Sequence, residues 1–193
     1  MSTLTYHIAQ VSLIVLLSTS FMADAQQTSG SDRTEISTSL QGPTKPVTAQ
    51  TFATQAAIIG KAEIELGQLA MRNGQDASVK DYGQRMVKDH TAADAQLKTI
   101  AGKENLALPT ELDAEHRAVR QKLSSLTGAD FDVAYRAEMA KGHDRAVALF
   151  EAASQTPTLP EELRQFAAST LPTLQQHQEK AHSLGEDDHS AHR

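Results

Sequence analysis

Three histidines and one glutamate stand where four amphipathic segments would otherwise carry apolar side chains. The segment from Phe52 to Ala70 carries the stripe Phe52, Ala56, Ile59, Glu63, Leu66, Ala70, and the next carries Val79, Gly83, Met86, His90, Ala93, Leu97, Ile100. A third stripe reads Tyr135, Met139, His143, Ala146, Phe150, and a fourth reads Leu163, Ala167, Thr170, Leu174, His177, Ala181. Spacings of three and four keep residues on one helical face, so each segment offers one ionisable group to the interior. Removing a carboxylate or an imidazole from water costs free energy unless the group is paired, hydrogen-bonded or metal-bound. Carboxylate and imidazole suit Zn, Fe, Mn, Ni or Cu, which makes Glu63, His90, His143 and His177 a candidate mononuclear metal site. Glu65, Asp89, Tyr135 and Glu138 are candidates for the neighbouring groups that orient an imidazole. The alternative is a metal-free polar layer, in which neutral histidines donate to a carboxylate and accept from Tyr82 or Tyr135.

Other chemistries find no footing. A di-iron site needs Glu-x-x-His on two helices, but the residues three before His90, His143 and His177 are Val87, Ala140 and Leu174. Asp89 and His90 are adjacent, so on a helix they point about 100° apart and cannot pair with each other. No nucleophile elbow, phosphate loop or dinucleotide fingerprint occurs, and no catalytic residue is assigned. His116 reads as a surface residue, and His182 as a cation near a helix C-terminus. Met71, Met86 and Met139 read as core fillers, and Pro172 as a kink inside the last helix.

The periodicity is helical throughout, and no stretch alternates like a strand. A first helix is expected from Ala49 to Arg72, ending at Asn73-Gly74, a pair that tolerates the left-handed conformation. A second is expected from Asp76, a plausible N-cap, to Glu104. A shorter helix from Glu111 to Leu126 would be capped by Thr110, and a third long one would run from Asp130 to Ser154. The fourth would start in a capping box at Thr158-Leu-Pro-Glu161 and end near Gly185. Short turns join the first and last pairs, whereas a long connection with its own helix joins the middle two. That pattern predicts an all-α, ferritin-like four-helix bundle of two antiparallel hairpins with a short extra helix in the crossover.

The ends read differently. Residues 1–25 resemble an export signal: Ile8 to Met22 is mostly apolar and precedes the small-x-small run Ala23-Asp-Ala25. Residues 26–50 are polar, with Pro43 and Pro46, and read as a flexible leader; 51–184 form the folded domain, and 185–193 a disordered polar tail. The expected location is the periplasm or the extracellular medium, without stable membrane insertion after signal cleavage. The chain has no cysteine, so stability in that oxidising setting must come from packing. A net charge of −6 and the absence of tryptophan argue against nucleic acid as a partner.

Ala62-Glu-Ile-Glu-Leu-Gly67, Met86-Val-Lys-Asp-His90, Gly128-Ala-Asp-Phe-Asp-Val-Ala-Tyr135, His143 and Leu171-Pro-Thr-Leu-Gln-Gln-His177 together resemble the domain of unknown function 4142 family. The resemblance spans Phe52 to Leu184. It implies export and a ferritin-like fold, and no activity. The outer-membrane label often given to that bacterial family has no strands here on which to build a barrel. The functional reading at this level is a non-catalytic envelope binding or stress-associated protein. The alternatives are a metal-binding or metal-dependent redox protein using the Glu/His cluster, and an interaction module that self-associates or uses the crossover helix.

Overall fold

The computed structural model describes residues 47–184. The expected export signal, the leader up to residue 46 and the tail from residue 185 lie outside the described residues. Five helices, and no strand among the described residues, make the chain all-α: α1 (Ala49–Asn73), α2 (Ala77–Lys103), α3 (Ala114–Ser124), α4 (Gly128–Ser154) and α5 (Glu161–Ser183). None of them is long and apolar enough to cross a membrane.

α1 starts where Thr48 and Thr51 satisfy each other's backbone: the Thr48 hydroxyl accepts from the Thr51 amide and the Thr51 hydroxyl from the Thr48 amide. α1 packs along α2 and α4 packs along α5, while α1 also touches α4, and α2 touches α5. The apolar stripes meet in two clusters. One gathers Phe52 and Ala56 of α1, Leu97 of α2, Phe150 of α4, and Leu163 and Phe166 of α5. The other gathers Leu66, Met86, Phe131, Tyr135, Met139 and Ala181. Hence α1 and α5 run from the first cluster to the second, and α2 and α4 run the opposite way. α2 therefore ends at the opposite end from where α4 begins, about 40 Å away for a 27-residue helix. The crossover spans that distance by laying Leu106 and Leu108 on the first cluster and Leu123 of α3 in the second.

Several local details differ from the sequence reading, each for a physical reason. Gly74 ends α1 at φ −65°, not in the left-handed region. A Cβ there would lie 2.7 Å from the Ala70 carbonyl oxygen and 3.2 Å from Asp132, so glycine is needed for space. α3 is capped by Asp113 rather than Thr110, because the Asp113 carboxylate accepts the His116 amide at 2.9 Å. α5 starts after Pro160 and not in a Thr158 capping box: the Pro160 carbonyl accepts from Leu163 and Arg164 while Thr158 makes no cap. Met71 is 39% exposed, since it lies off the stripe that buries Ala70, whereas Met86 and Met139 fill the core. α1 and α2 approach closely at Gly67 and Gly83, where a Cβ on Gly67 would fall 2.5 Å from the Gly83 carbonyl oxygen.

The α1–α2 turn is held by a buried carboxylate of α4. Asp132 is 1% exposed and accepts the amides of Gln75 (3.1 and 3.2 Å) and Asp76 (2.9 Å). Asp76 is the α2 N-cap residue but caps nothing with its side chain, which pairs with Arg136 one turn along from Asp132. Charge-assisted bonds of this kind contribute about 1.5–3 kcal/mol each when a buried partner would otherwise be stranded. Asp132→Ala should lower unfolding free energy by about 2–3 kcal/mol in urea titrations; an unchanged midpoint would mean that the turn is held by other contacts.

Candidate metal centre

Each long helix inserts one ionisable group between the two apolar clusters. In chain order Glu63 lies between Ala57 and Leu66, His90 between Met86 and Leu97, His143 between Met139 and Ala146, and His177 between Leu174 and Ala181. Glu63 and His90 are 5% exposed, and His143 and His177 are 1% exposed. The three imidazole rings form a near-equilateral set, with centroids 6.0 Å (His90–His143), 5.6 Å (His90–His177) and 5.4 Å (His143–His177) apart. One ligand nitrogen from each lies within 4.8 Å of the other two. Glu63 is not part of this trio. Its carboxyl lies against α4 instead, with Oε1 3.4 Å from where a Cβ on Gly142 would be.

Hydrogen bonds fix which nitrogens hold lone pairs. His143 Nδ1 faces the Met139 carbonyl at 3.0 Å, and a carbonyl can only accept, so Nδ1 carries the proton and Nε2 the lone pair. His177 Nε2 donates to Asp89 Oδ2 at 2.9 Å, which leaves the lone pair on Nδ1. Tyr82 adds a second layer: its hydroxyl donates to the His177 carbonyl at 3.1 Å and lies 3.4 Å from His143 Nδ1. Arg85 extends the Asp89 contact across α2 and α5 by reaching both Asp89 (3.4 Å) and Gln176 (2.9 Å). The buried atoms without a hydrogen-bond partner then include His143 Nε2 and His177 Nδ1, the two lone-pair nitrogens, together with His90 Nε2, Glu63 Oε2 and the Tyr135 hydroxyl.

Burial dominates the electrostatics. Desolvation, with the charges of His143 and His177 adding to it, holds His90 well below the ordinary imidazole range. His177 is lowered from 6.5 to about 4, again mainly by desolvation, with the Asp89 hydrogen bond opposing. Both are therefore neutral donors at pH 7, the form that metal binding requires. Glu63 is pushed up by burial, while His143 and His116 pull it back. Burial and the Glu63 carboxylate raise Tyr135, and the same two causes raise Tyr82.

The other candidates fall elsewhere. Glu65 and Glu138 are not brought to the histidines: they pair with Arg120 and Lys122 of α3 at 3.0 Å each, because α3 packs on α1 and α4 and presents its cations to both. His116 is half-buried rather than a plain surface residue, since the Asp113 carboxylate holds its Nδ1 at 2.7 Å. His182 pairs with Asp144 at 2.8 Å. Two residues that composition gave no reason to single out shape the site: Gly142, beside His143, gives room to the Glu63 carboxyl, and the Met139 carbonyl sets the His143 tautomer. An i−4 carbonyl on a helix is a general partner for a histidine Nδ1, so that second feature had a local signal.

A metal–nitrogen distance of about 2.1 Å puts donor nitrogens about 3.4–3.6 Å apart, so the trio would close by about 1 Å around an ion. Small imidazole swings cover that distance.

Comparison with known proteins agrees with an all-α chain of undefined activity. The profile of the domain of unknown function 4142 matches residues 34–184. A search of curated proteins gives no match. Two solved structures are similar in fold. One is a fragment of a DUF305 protein from Deinococcus radiodurans, with TM-score 0.63 and 15% identity over 72% of this chain and 95% of that one. The other is a presumed secreted DUF305 protein from Streptomyces coelicolor, with TM-score 0.57 and 13% identity over 67% of this chain and 86% of that one.

The His177 shift has a testable sign. Above pH 6.5 the ring is neutral in both folded and unfolded chains; between 6.5 and about 4 the unfolded chain takes up a proton that the folded chain refuses. Stability from this group is therefore full above 6.5 and lost as pH falls toward 4. Glu63 acts in the opposite sense, its contribution being full below 4.5 and lost as pH rises through its raised value. The comparison that isolates His177 is thus metal-free wild type against His177→Gln: the wild type should lose melting temperature faster as pH drops through that window. Parallel curves would mean that His177 titrates as freely in the fold as outside it.

Proposed function

The chain belongs to the domain of unknown function 4142 family, and from that premise we propose that it is an exported protein that holds one transition-metal ion between His90, His143 and His177. The observation that carries this reading is the set of orphaned imidazole nitrogens: one on each histidine is buried without a partner, and the three rings face one another. A purely structural polar layer would satisfy these atoms, because leaving a buried acceptor unpaired costs about 1–3 kcal/mol. For His143 and His177 the hydrogen bonds go through Met139 and Asp89 on one side of the ring and leave the other nitrogen without a partner. An outer partner that fixes the tautomer and raises the basicity of the ligand nitrogen is the usual companion of metal-binding histidine.

Three imidazole donors favour Zn, Cu, Ni or Fe over Mg or Ca. Glu63 supplies a buried carboxyl to the same layer, its Oε2 without a partner, suited to a fourth position or to a water on the metal. The histidine trio with no Glu-x-x-His pair supports a mononuclear site, and its role is binding rather than turnover. The fold we assign is the ferritin-like four-helix bundle of two antiparallel hairpins, supported by the opposite order in which α1 and α2, and α4 and α5, pass through the two apolar clusters. Export is supported by the apolar run ahead of Ala23-Asp-Ala25 and by the presumed secretion of one structural neighbour.

Elemental analysis of mature protein purified without an affinity tag tests this reading. We expect about one transition-metal ion per chain, absent from a His90→Ala/His143→Ala variant. Protein that is isolated metal-free and takes up none of added Zn, Cu or Fe would contradict it.

A further inference from the structure

The histidine trio lies between two apolar clusters, with ring exposures of a few per cent. A hydrated divalent ion cannot cross either cluster, because its water must be replaced ligand by ligand as it moves. Two cavities approach the layer. One, of about 20 Å³, touches His90 and is walled by Leu97, Phe150, Phe166 and Leu174. It has room for about one water, too little for a hydrated ion, and its polar lining besides His90 is Thr170 and Asp94, the latter already paired with Lys98. The other, of about 240 Å³, lies between α1, α4 and the start of α3.

This larger cavity is polar at the rim and ends on a buried carboxyl. Its rim carries Asp113, Glu115, His116 and Arg145, its walls include Ile58, Ile59 and Leu149, and the buried polar group it reaches is Glu63, opposite Gly142. The rim groups are already matched, with Arg145 on Glu115 at 2.5 Å and His116 on Asp113 at 2.7 Å. The positive N-terminus of α3, which would repel a cation, is offset by the Asp113 cap and by Glu115 in the first turn. The unmatched group is Glu63, 5% exposed with Oε2 lacking any partner. Glu63 alone among the four ionisable residues of the layer lines this cavity, and it feels the charges of His116 on the rim and His143 in the trio. Gly142, the neighbour of His143, adds no side chain at that point, and a Cβ there would meet only Glu63 Oε1, at 3.4 Å.

We propose that this cavity is the portal through which the metal ion reaches and leaves the histidine trio, with His116 and then Glu63 as transient ligands on the way. The inference rests on the metal-binding reading above and adds a route to it. A portal changes the rates of capture and release together and leaves their ratio alone. A ligand changes the ratio.

The test is Co(II) binding to the mature chain, followed by its visible absorption in stopped flow, with release measured by adding excess chelator. Leu149→Trp fills the cavity from α4, and Ile58→Trp fills it from α1, so that damage peculiar to one substitution is recognised. Both should slow capture and release by about tenfold or more while Kd stays within about threefold. His116→Ala should slow capture several-fold and leave Kd unchanged. Capture at the wild-type rate in both filled variants would overturn the portal while the metal site stands. So would faster release at unchanged capture, which is the mark of a damaged site. Absence of Co(II) binding to the wild type would instead overturn the metal reading itself, and the portal with it.

Discussion

The constraint on which this structure depends is the cost of keeping a carboxyl and three imidazoles out of water in one layer. Two apolar clusters cover that layer from either end, and burial is the largest influence on the charge within it. Burial holds His90 and His177 neutral and pushes Glu63 toward its protonated form. The remaining polarity is turned outward wherever a partner exists: His143 gives its proton to the Met139 carbonyl, and His177 gives its own to Asp89. What is left facing inward is a set of lone pairs. A positive ion compensates inward-directed lone pairs better than any neutral group, and this links the desolvation constraint to the metal-binding reading.

Such a layer works only if the four helices hold their height relative to one another. Glycine contact at Gly67 and Gly83 brings α1 and α2 together. The Asp132 carboxylate ties the α1–α2 turn to α4, close to where α4 begins. Tyr82 then bridges α2 to the α5 backbone next to the site, and Arg85 with Asp89 and Gln176 does the same on the surface. Exposed ion pairs hold α3 across α1 and α4 and add little energy individually, about 0–1 kcal/mol each. Their effect is positional: they set the α3 start, and hence His116, over the cavity that ends on Glu63.

The helical character and the inward phase of Glu63, His90, His143 and His177 were legible because a 3.6-residue period records burial directly. Local chemistry that depends on a distant residue was not. Asn73-Gly74 reads as a left-handed stop, yet glycine is needed there for space, against the Ala70 carbonyl first and then Val79 and the Asp132 carboxylate from α4. Thr110 and Asp113 are equally good caps on paper, and only the path of the crossover decides between them. Glu65 and Glu138 stand off the inward stripes, about 200° from Glu63 and 100° from Met139, and pair with Arg120 and Lys122 of α3 instead. The orphaned nitrogens of His143 and His177 could not be read from spacing at all, because each follows from the partner taken by the other side of the ring.

The most direct test of the central claim is X-ray absorption at the Zn edge of the mature chain loaded with one equivalent of Zn. The account predicts three imidazole nitrogens at about 2.0–2.1 Å, with one lighter oxygen donor completing the shell. A shell made only of oxygen, or with a single imidazole, would contradict it and return His90, His143 and His177 to a purely structural role.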